Sequence, residues 1–537
     1  MLIIILMCLL TFFRIYFTLG FKPALNGGMR YDDSLFLNTA SSILKGNWLG
    51  KYNDIILTKG IGFELIAVFL SIFKIPYLLG ITAIYILASF LLANSIKKVF
   101  KRDIYFLISY TIFLFNPISY AVATYLRFYR NGIVNISIIM LIFSILINII
   151  NDKKNKLCNY IILGLVLFLC YITREDSFWI IIISFLVLTF KFFELKNLNT
   201  LKKVFLLIPI FIFLAFSNIL SLINYFNYGV YTNNELKNSA FASAYLEILK
   251  VKPSESINQV SITKDTLNKI AEISPTFANI LPNLNKQSWG NSSKGEISDG
   301  YMFWALRFAA YNNGYYDSSQ KSEQFWQTVE EDIIKAVKEK KLETRLTINS
   351  IFISPYQKGY LFKTFESSID IFIRVNNYQK IDIDYGKCYC TDIQGKDLSS
   401  LTNYNINVNE NKNYEKNYVN IEVLKQILIL YQKVIPFISV LGIISFINFA
   451  LNIKHKKEYK KIMIVFTFLL SIIFLILGIA YTNVSAFNSI TYYYLAPIYN
   501  LVIFLNLFLI FEFIENFKKN GVEYGKNRIK HLITLSK

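Results

Sequence analysis

The sequence predicts a mainly helical protein that crosses a membrane many times and carries one large polar insertion. Of its 537 residues, 54% are hydrophobic and only 17% are charged, whereas soluble domains carry about a quarter charged residues. Several apolar runs reach the roughly 17–25 residues that a helix needs to cross a bilayer. Together these observations predict an all-α polytopic membrane protein that has the lipid bilayer as a partner.

The net charge of +20 is distributed as in a membrane protein rather than a nucleic-acid-binding protein. Short basic segments hold 22 Lys and Arg residues against five acidic residues. These segments are 97–103, 151–156, 191–203, 454–461 and 518–537. Short loops with such an excess of cations are typically cytoplasmic. We therefore expect no nucleic-acid partner, a plasma (inner) membrane location, and N- and C-termini in the cytoplasm.

About ten apolar segments are predicted to span the membrane. They are 2–20, 78–96, 104–124, 133–150, 158–173, 177–190, 203–225, 428–452, 462–481 and 492–515. Segment 61–74 carries Glu64 and is too short to span, so it is predicted to be a re-entrant or interfacial helix. This topology gives a seven-span module over 1–225 with an outer loop at 21–77. Three further spans follow over 428–517, and residues 518–537 form a basic cytoplasmic tail.

Residues 226–427 are polar and rich in Asn, Lys and Ser. The region is too long for a connector, and the topology places it outside, so it is predicted to fold as an extracytoplasmic soluble domain. Residues 322–342 have the apolar spacing of an amphipathic helix. Residues 346–392 show partial alternation typical of strands. The insertion is therefore predicted to be α+β.

Histidine and cysteine usage excludes some chemistry on the outer side of the membrane. The only histidines, His455 and His531, lie in basic segments. This excludes an extracytoplasmic histidine zinc site or a histidine base there. Cys388 and Cys390 form a lone C-x-C, which is compatible with a vicinal disulfide or a metal clip.

An acidic pair, Asp32 and Asp33, follows the first apolar segment. Adjacent side chains diverge in a helix and in a strand, so the two carboxylates cannot act as equivalents on one atom. One acid can cap the helix predicted to run through Leu44, with Gly46 near its C-terminal cap. The other acid is then available for chemistry. We predict that one of the two is catalytic, with Asp32 preferred.

Basic residues on the predicted outer side are candidate phosphate ligands. Arginine there runs against the positive-inside bias, and its guanidinium matches phosphate oxygens in a bidentate manner. The candidates are Lys59, Arg127, Arg130 and Arg174. Two alternatives are open: Lys59 can be an interfacial lysine whose head reaches water, and the arginines can pair with outer carboxylates.

The turn that carries Arg174, Glu175 and Asp176 joins two apolar segments. Ionisable residues at such a depth usually pair with one another or line a polar cavity. They can form a structural ion pair or complete a polar pocket opposite Asp32. Tyr494, at the outer start of the last span, fits an aromatic belt and can also contribute to a lipid-phosphate or sugar site.

The candidate site residues, in their order along the chain, resemble those of the GT-C membrane glycosyltransferases, in particular the family-39-like group. That group includes protein O-mannosyltransferases and the aminoarabinose transferases of lipid A. The residues that carry the likeness are Asp32-Asp33, Phe36, Ala40, Gly46, Lys59-Gly60, Arg127, Arg130, Arg174-Glu175 and the segment Tyr494-Leu495-Ala496-Pro497. The likeness covers residues 1–225 reasonably, the last span weakly and the large loop hardly at all. Gly60 stands where proline is usual, and Asp33 where glutamate is common.

The resemblance implies a GT-C-like fold and a sugar donor linked to polyprenyl phosphate. Asp32 would act as the base toward an extracytoplasmic acceptor, which can be a glycan, a lipid or a protein, and the anomeric carbon would be inverted. The basic residues would neutralise the leaving phosphate. They are Lys59, Arg127, Arg130 and Arg174.

Glu175 and Asp176 can fix the arginines, and with Asp33 they are candidate ligands of a divalent metal ion. An oligosaccharide ligase or polymerase of the GT-C class is an alternative function. A non-enzymatic lipid or polysaccharide transporter is another, but transporters often carry internal repeats, and none is visible in the sequence. A receptor built around 226–427 would leave Asp32 and Arg174 unexplained.

Overall fold

The computed structural model describes residues 2–152, 156–195, 200–287, 295–406, 418–453 and 458–535. Parts of the predicted basic segments 151–156, 191–203, 454–461 and 518–537, and with them His455, lie outside the described residues.

The N-terminal part of the chain is a series of helices. They are α1 (Leu2–Tyr16), α2 (Asp33–Leu44), α3 (Gly62–Ile72), α4 (Tyr77–Phe100), α5 (Asp103–Leu114), α6 (Ile133–Asn151), α7 (Leu157–Thr173), α8 (Phe178–Glu194), α9 (Thr200–Val204) and α10 (Ile208–Tyr228). Short 3-10 turns lie at Pro117–Ser119 and Phe205–Leu207, and a π-helical turn at Val122–Leu126. A two-residue strand β1 (Leu25–Asn26) precedes α2.

The remainder is also helical. Its helices are α11 (Ala240–Lys250), α12 (Lys264–Ile273), α13 (Pro275–Ala278), α14 (Leu281–Asn285), α15 (Asp299–Asn312), α16 (Ser319–Lys338), α17 (Tyr360–Asn376), α18 (Asp392–Thr402), α19 (Tyr418–Leu451), α20 (Tyr459–Ser485) and α21 (Tyr492–Leu535). Strand β2 (Cys388–Tyr389) pairs in parallel with β1.

Six helices in the described residues are long and apolar enough to cross a membrane. They are Tyr77–Phe100, Ile133–Asn151, Lys202–Tyr228, Asn420–Leu451, Tyr459–Ser485 and Tyr492–Lys518. The helices Leu2–Tyr16, Gly62–Ile72, Asp103–Leu114 and Leu157–Thr173 are apolar but shorter. The prediction of a helical, multi-pass membrane protein is confirmed. The count of ten spans stays a prediction.

The predicted span 104–124 is wrong as one continuous helix, because α5 ends at Leu114. Pro117 cannot donate the backbone hydrogen bond that would continue the helix, and it restricts the residue before it. The side chain of Asn116 instead accepts a hydrogen bond from the amide of Ile118 at 3.2 Å. The irregular turns that follow lead the chain up to Arg127.

The apolar side chains form two cores. One core lies among the long helices and includes Ile371, Val375 and Leu398 from the second half of the 226–427 region. The other joins α11 to α16 with residues of the first loop, such as Leu49 and Ile55. The 226–427 region therefore contributes to both cores. Its assignment as one extracytoplasmic domain stays a prediction.

The prediction of an α+β insertion is wrong for the described residues of 346–392. This segment contains the 17-residue helix α17, and β2 is only two residues long. The alternation that suggested strands also places Leu361, Phe365 and Phe372 on one helical face, and all three are exposed. The amphipathic helix predicted at 322–342 is confirmed as α16, which ends at Lys338.

Candidate functional site

The acidic pair lies at the start of α2, which begins at Asp33. Asp32 precedes the first helical residue, yet its side chain makes no capping hydrogen bond. The capping role is wrong for both acids, because Asp33 is already the first helical residue and its carboxylate accepts from the amide of Asn26 outside the helix. The predicted end of the helix is confirmed: Gly46 follows the cap residue Lys45 with a φ of +82°.

Asp32 pairs with Lys59. The Lys59 ammonium lies 2.5 Å from Oδ1 of Asp32 and also donates to the backbone oxygen of Tyr31. About 31% of the Asp32 side chain is exposed, against 10% for Lys59. Burial pushes the pKa of Asp32 up, but the Lys59 ammonium, followed by the charges of Arg130 and Arg127, holds it below its usual value. Asp32 is therefore an ionised carboxylate with a partly accessible side chain.

Asp33 points the other way and is fully buried. Nε of Arg127 donates to its Oδ1 at 2.9 Å, and a second guanidinium nitrogen donates to Oδ2. The amide of Asn26 in β1 also donates to Oδ1, at 3.1 Å. Arg127 in turn stacks on the ring of Tyr129, with its guanidinium carbon 4.0 Å from the ring centroid. Asp33 thus ties the first loop to the irregular turn that precedes α6.

Arg130 and Glu175 form a bidentate pair in which both side chains are about 90% buried. One nitrogen of Arg130 donates to Oε1 of Glu175 at 2.9 Å, and the other donates to Oε2. Although burial raises the pKa of Glu175, the Arg130 guanidinium lowers it to about 2. The amide of Gly60 also points at Oε2, at 3.4 Å. A Cβ atom on Gly60 would lie 2.1 Å from the backbone oxygen of Ile172, so no larger residue fits there without a backbone shift.

Arg174 pairs with its near neighbour Asp176. Nε of Arg174 donates to Oδ1 at 2.8 Å, and a second nitrogen donates to Oδ2. The Asp176 side chain is 52% exposed. The guanidinium carbon of Arg174 also lies 5.8 Å from the ring centroid of Tyr494, which brings the start of α21 to the same cluster.

The cations predicted to bind phosphate are all paired with carboxylates. The pairs are Lys59–Asp32, Arg127–Asp33, Arg130–Glu175 and Arg174–Asp176. Each of the three arginines therefore pairs with a carboxylate, while their position on the outer side stays a prediction. Lys59 is also paired, and its side chain is only 10% exposed, unlike that of an interfacial lysine whose head reaches water. The cluster contains four cations and four anions, so an incoming phosphate must compete with a carboxylate for each cation. Asp32 and Asp176 are the two acids of the cluster with substantial exposure.

The candidate metal ligands Asp33, Glu175 and Asp176 are each engaged by an arginine. Within the part of the chain that the structure describes, no three His, Cys, Asp or Glu side chains converge as a metal-ion site. Cys388 and Cys390 are joined in a disulfide, which matches the disulfide alternative of the C-x-C motif.

Two features of the site were not predicted from the sequence. Trp304 of α15 packs on Tyr31 with ring centroids 4.8 Å apart, and its centroid lies 5.6 Å from the Lys59 ammonium. The sequence held no signal for this contact because the two segments are far apart in the chain. Glu64 of α3 is buried near Lys59, and its Oε2 has no hydrogen-bond partner. Burial raises the pKa of Glu64 to about 8.

Comparisons with known proteins identify no relative of this chain. No protein family model matches the chain, and neither a curated protein nor a solved structure matches it.

Proposed function

We propose that this chain is a membrane glycosyltransferase that moves a sugar from a polyprenyl-phosphate donor to an extracytoplasmic acceptor with inversion. In this proposal the protein lies in the plasma (inner) membrane with both termini in the cytoplasm. The observation that carries the proposal is the position of Asp32. Its carboxylate is ionised and about 31% exposed, next to the ammonium of Lys59.

The proposed transfer is a single displacement at the anomeric carbon. A hydroxyl or amine of the acceptor attacks that carbon, and the bond from the carbon to the phosphate oxygen breaks. The bonding electrons leave with the polyprenyl phosphate, and the proton of the acceptor passes to Asp32. General-base assistance of this kind requires hydrogen-bond reach and an ionised carboxylate. Preorganised cations beside the departing phosphate stabilise its growing charge.

The pairing of Lys59 supports a coupling between donor binding and the basicity of Asp32. Lys59 is the nearest cation to Asp32, at 2.5 Å, and its charge lowers the pKa of that carboxyl. A donor phosphate that draws the ammonium away would remove this effect. Asp32 would then become a stronger base only when the donor is present. The same exchange supplies the phosphate with a cation that is otherwise neutralised.

The test is the substitution Asp32→Asn, which keeps the shape of the side chain and removes its charge. Full-length protein in liposomes is incubated with synthetic polyprenyl-phosphate mannose, glucose or aminoarabinose and with a membrane extract as the acceptor source. Release of polyprenyl phosphate is then followed by mass spectrometry. We expect the wild type to release polyprenyl phosphate from one of these donors, and D32N to lose at least 100-fold in rate, in line with the roughly 10²–10⁴-fold effect of general-base catalysis.

Asp397 provides a matched control. It also pairs with a lysine, Lys45, at 3.0 Å, and its side chain is 24% exposed. Asp397→Asn is expected to keep the wild-type rate. Wild-type activity in D32N would contradict the role of Asp32. Transbilayer movement of the lipid without any release of polyprenyl phosphate by the wild type would instead favour the transporter.

A further inference from the structure

Helix α17 lies alongside α20 rather than with the helices α11 to α16 that precede it in the chain. Helix α20 is one of the candidate spans. In the first turn of α20, Lys461 forms an ion pair with Glu512 of α21 at 2.8 Å. Tyr481 lies near the opposite end, about 30 Å away at roughly 1.5 Å per residue.

The start of α17 and the segment just before it contact this opposite end of α20. The hydroxyl of Tyr481 donates to the backbone oxygen of Ser354 at 2.7 Å. The rings of Tyr360 and Tyr481 lie 6.2 Å apart. Tyr360 therefore starts α17 at the end of the bundle that also holds the start of α21.

The last residue of α17 lies deep in the bundle. Oδ1 of Asn376 accepts a hydrogen bond from the hydroxyl of Ser439 in α19 at 2.5 Å, and Asn506 of α21 donates to that hydroxyl at 3.1 Å. Asn506 is about 21 Å along α21 from Tyr492, and about 14 Å from Glu515 near the other end, at roughly 1.5 Å per residue. The hydrocarbon core of a bilayer is about 30 Å thick. Asn376 therefore lies well inside it.

After α17 the chain returns toward the end of the bundle at which α17 begins. The hydroxyl of Tyr378 donates to Asn116 at 3.0 Å, at the break after α5. Further on, the backbone oxygen of Asp382 accepts from the amide of Val122 at 2.9 Å. Cys388 finally pairs with Leu25 in the two-stranded sheet, beside the candidate site.

The face of α17 turned away from the bundle is apolar. Its exposed residues are Leu361, Phe362, Phe365, Ile369, Phe372 and Ile373. Opposite them, Tyr360, Ile371 and Val375 are buried. Charged residues fall on a separate stripe: Lys363 and Glu366 in the first two turns are exposed, and Arg374 and Asp370 pair at 2.9 Å further along. An apolar face at this depth, on a helix parallel to a candidate span, fits acyl chains and not water.

We propose that residues 354–390 form a re-entrant membrane hairpin, in which α17 descends into the bilayer and the chain returns extended to β2. The apolar face of α17 contacts lipid acyl chains. The exposed Lys363 and Glu366 lie in its first two turns, near the bilayer surface, and Asp370 pairs with Arg374 further along the helix. The returning segment supports the turn that presents Arg127. This proposal concerns the membrane position of the segment and does not depend on the catalytic activity.

The test measures depth with nitroxide labels on the full chain in liposomes. The free cysteines Cys8, Cys158 and Cys170 are first replaced by serine, and the disulfide is kept. Single labels are then placed with Phe362→Cys and Phe372→Cys. Phe211→Cys on α10 and Gln327→Cys on α16 are the lipid-facing and water-facing controls. Collision with oxygen and with a water-soluble nickel chelate reports the depth of each label.

We expect the label at position 372 to behave like the one at 211, with high oxygen and low nickel accessibility. It should also lie about 15 Å deeper than the label at 362, because ten helical residues separate them. Equal depth at 362 and 372 would show a helix lying on the membrane surface and would overturn the hairpin. Nickel accessibility at 372 matching that at 327 would also overturn it. Ile373→Cys is the second deep position if the variant at 372 fails to fold.

Discussion

Replacing Arg130 with methionine is expected to destabilise the folded chain by about 3–5 kcal/mol. The change leaves Glu175 buried without its bidentate partner, and breaking a buried ion pair from one side typically costs this amount. The side chains of Arg130 and Glu175 are 11% and 9% exposed. Solvent therefore screens the pair little, and few water molecules can replace the guanidinium.

The pKa of Glu175 gives a magnitude of the same order. Despite burial, Arg130 holds this pKa at about 2, against an ordinary value of 4.5. At about 1.4 kcal/mol per pH unit, the difference corresponds to roughly 3 kcal/mol. Because the folded-state pKa is lowered, this stability is fully present above about pH 4.5. It is lost as the pH falls from there to about 2.

The assay is thermal and denaturant unfolding of the purified chain in mild detergent, for wild type, Arg130→Met, Glu175→Gln and the double variant. The double variant should recover much of the loss, because it carries no unpaired charge. Lys252→Met, which breaks an exposed pair with Glu343, should leave the unfolding midpoint unchanged. If R130M were as stable as the wild type, or no less stable than the double variant, the buried pair would not have the energetic role inferred here.

Two further predictions concern the neighbourhood of this pair. Gly60→Ala should clearly lower the unfolding temperature, because the added Cβ would lie 2.1 Å from the backbone oxygen of Ile172. Gly478→Ala, whose Cβ would meet nothing within 4 Å, should not lower it. Equal effects of the two substitutions would refute the packing argument. Burial raises the pKa of Glu64 from 4.5 to about 8, so the unfolded chain loses this proton first, and stability should fall by up to about 1.4 kcal/mol per pH unit between these values. Glu64→Gln should flatten that slope in unfolding curves recorded from pH 5 to 8, and an unchanged slope would show that Glu64 does not titrate in this way.

The membrane class and the approximate positions of the long helices could be predicted from the sequence, because apolar length is a local property. The break after Leu114 was missed, although Asn116 and Pro117 are a local signal for it. The helix at Tyr360–Asn376 was mistaken for strands. Its exposed apolar residues at 361, 362, 365, 369, 372 and 373 recur at helical spacing, so the local signal for a helix was present and was misread.

The sequence identified the residues of the cluster better than the ion pairs among them. The structure brings Asp32, Lys59, Arg130 and Glu175 into one cluster, as expected of charged residues predicted to lie on one side of the membrane. The sequence did not determine which acid pairs with which cation, because pairing depends on the direction in which each side chain points, and sequence neighbours do not fix that direction. The place of Trp304 beside Lys59 depends on how the second core packs on the first loop. No pattern within either segment carries that information.

The pairing of β1 with β2 has a consequence for how the protein is made. Gln394 donates to the backbone oxygen of Gly27 at 3.2 Å across a separation of 367 residues, and it also donates to Ser34 at 3.0 Å. During synthesis, the partners Cys388, Tyr389 and Gln394 of the segment that leads into Asp33 are therefore made only after most of the chain has been translated. A ribosome-released fragment ending before Cys388 would insert its early helices but leave the first loop unclosed. The two carboxylates can meet Lys59 and Arg127 early, whereas the backbone around Gly27 and Ser34 gains its last partner only late in synthesis.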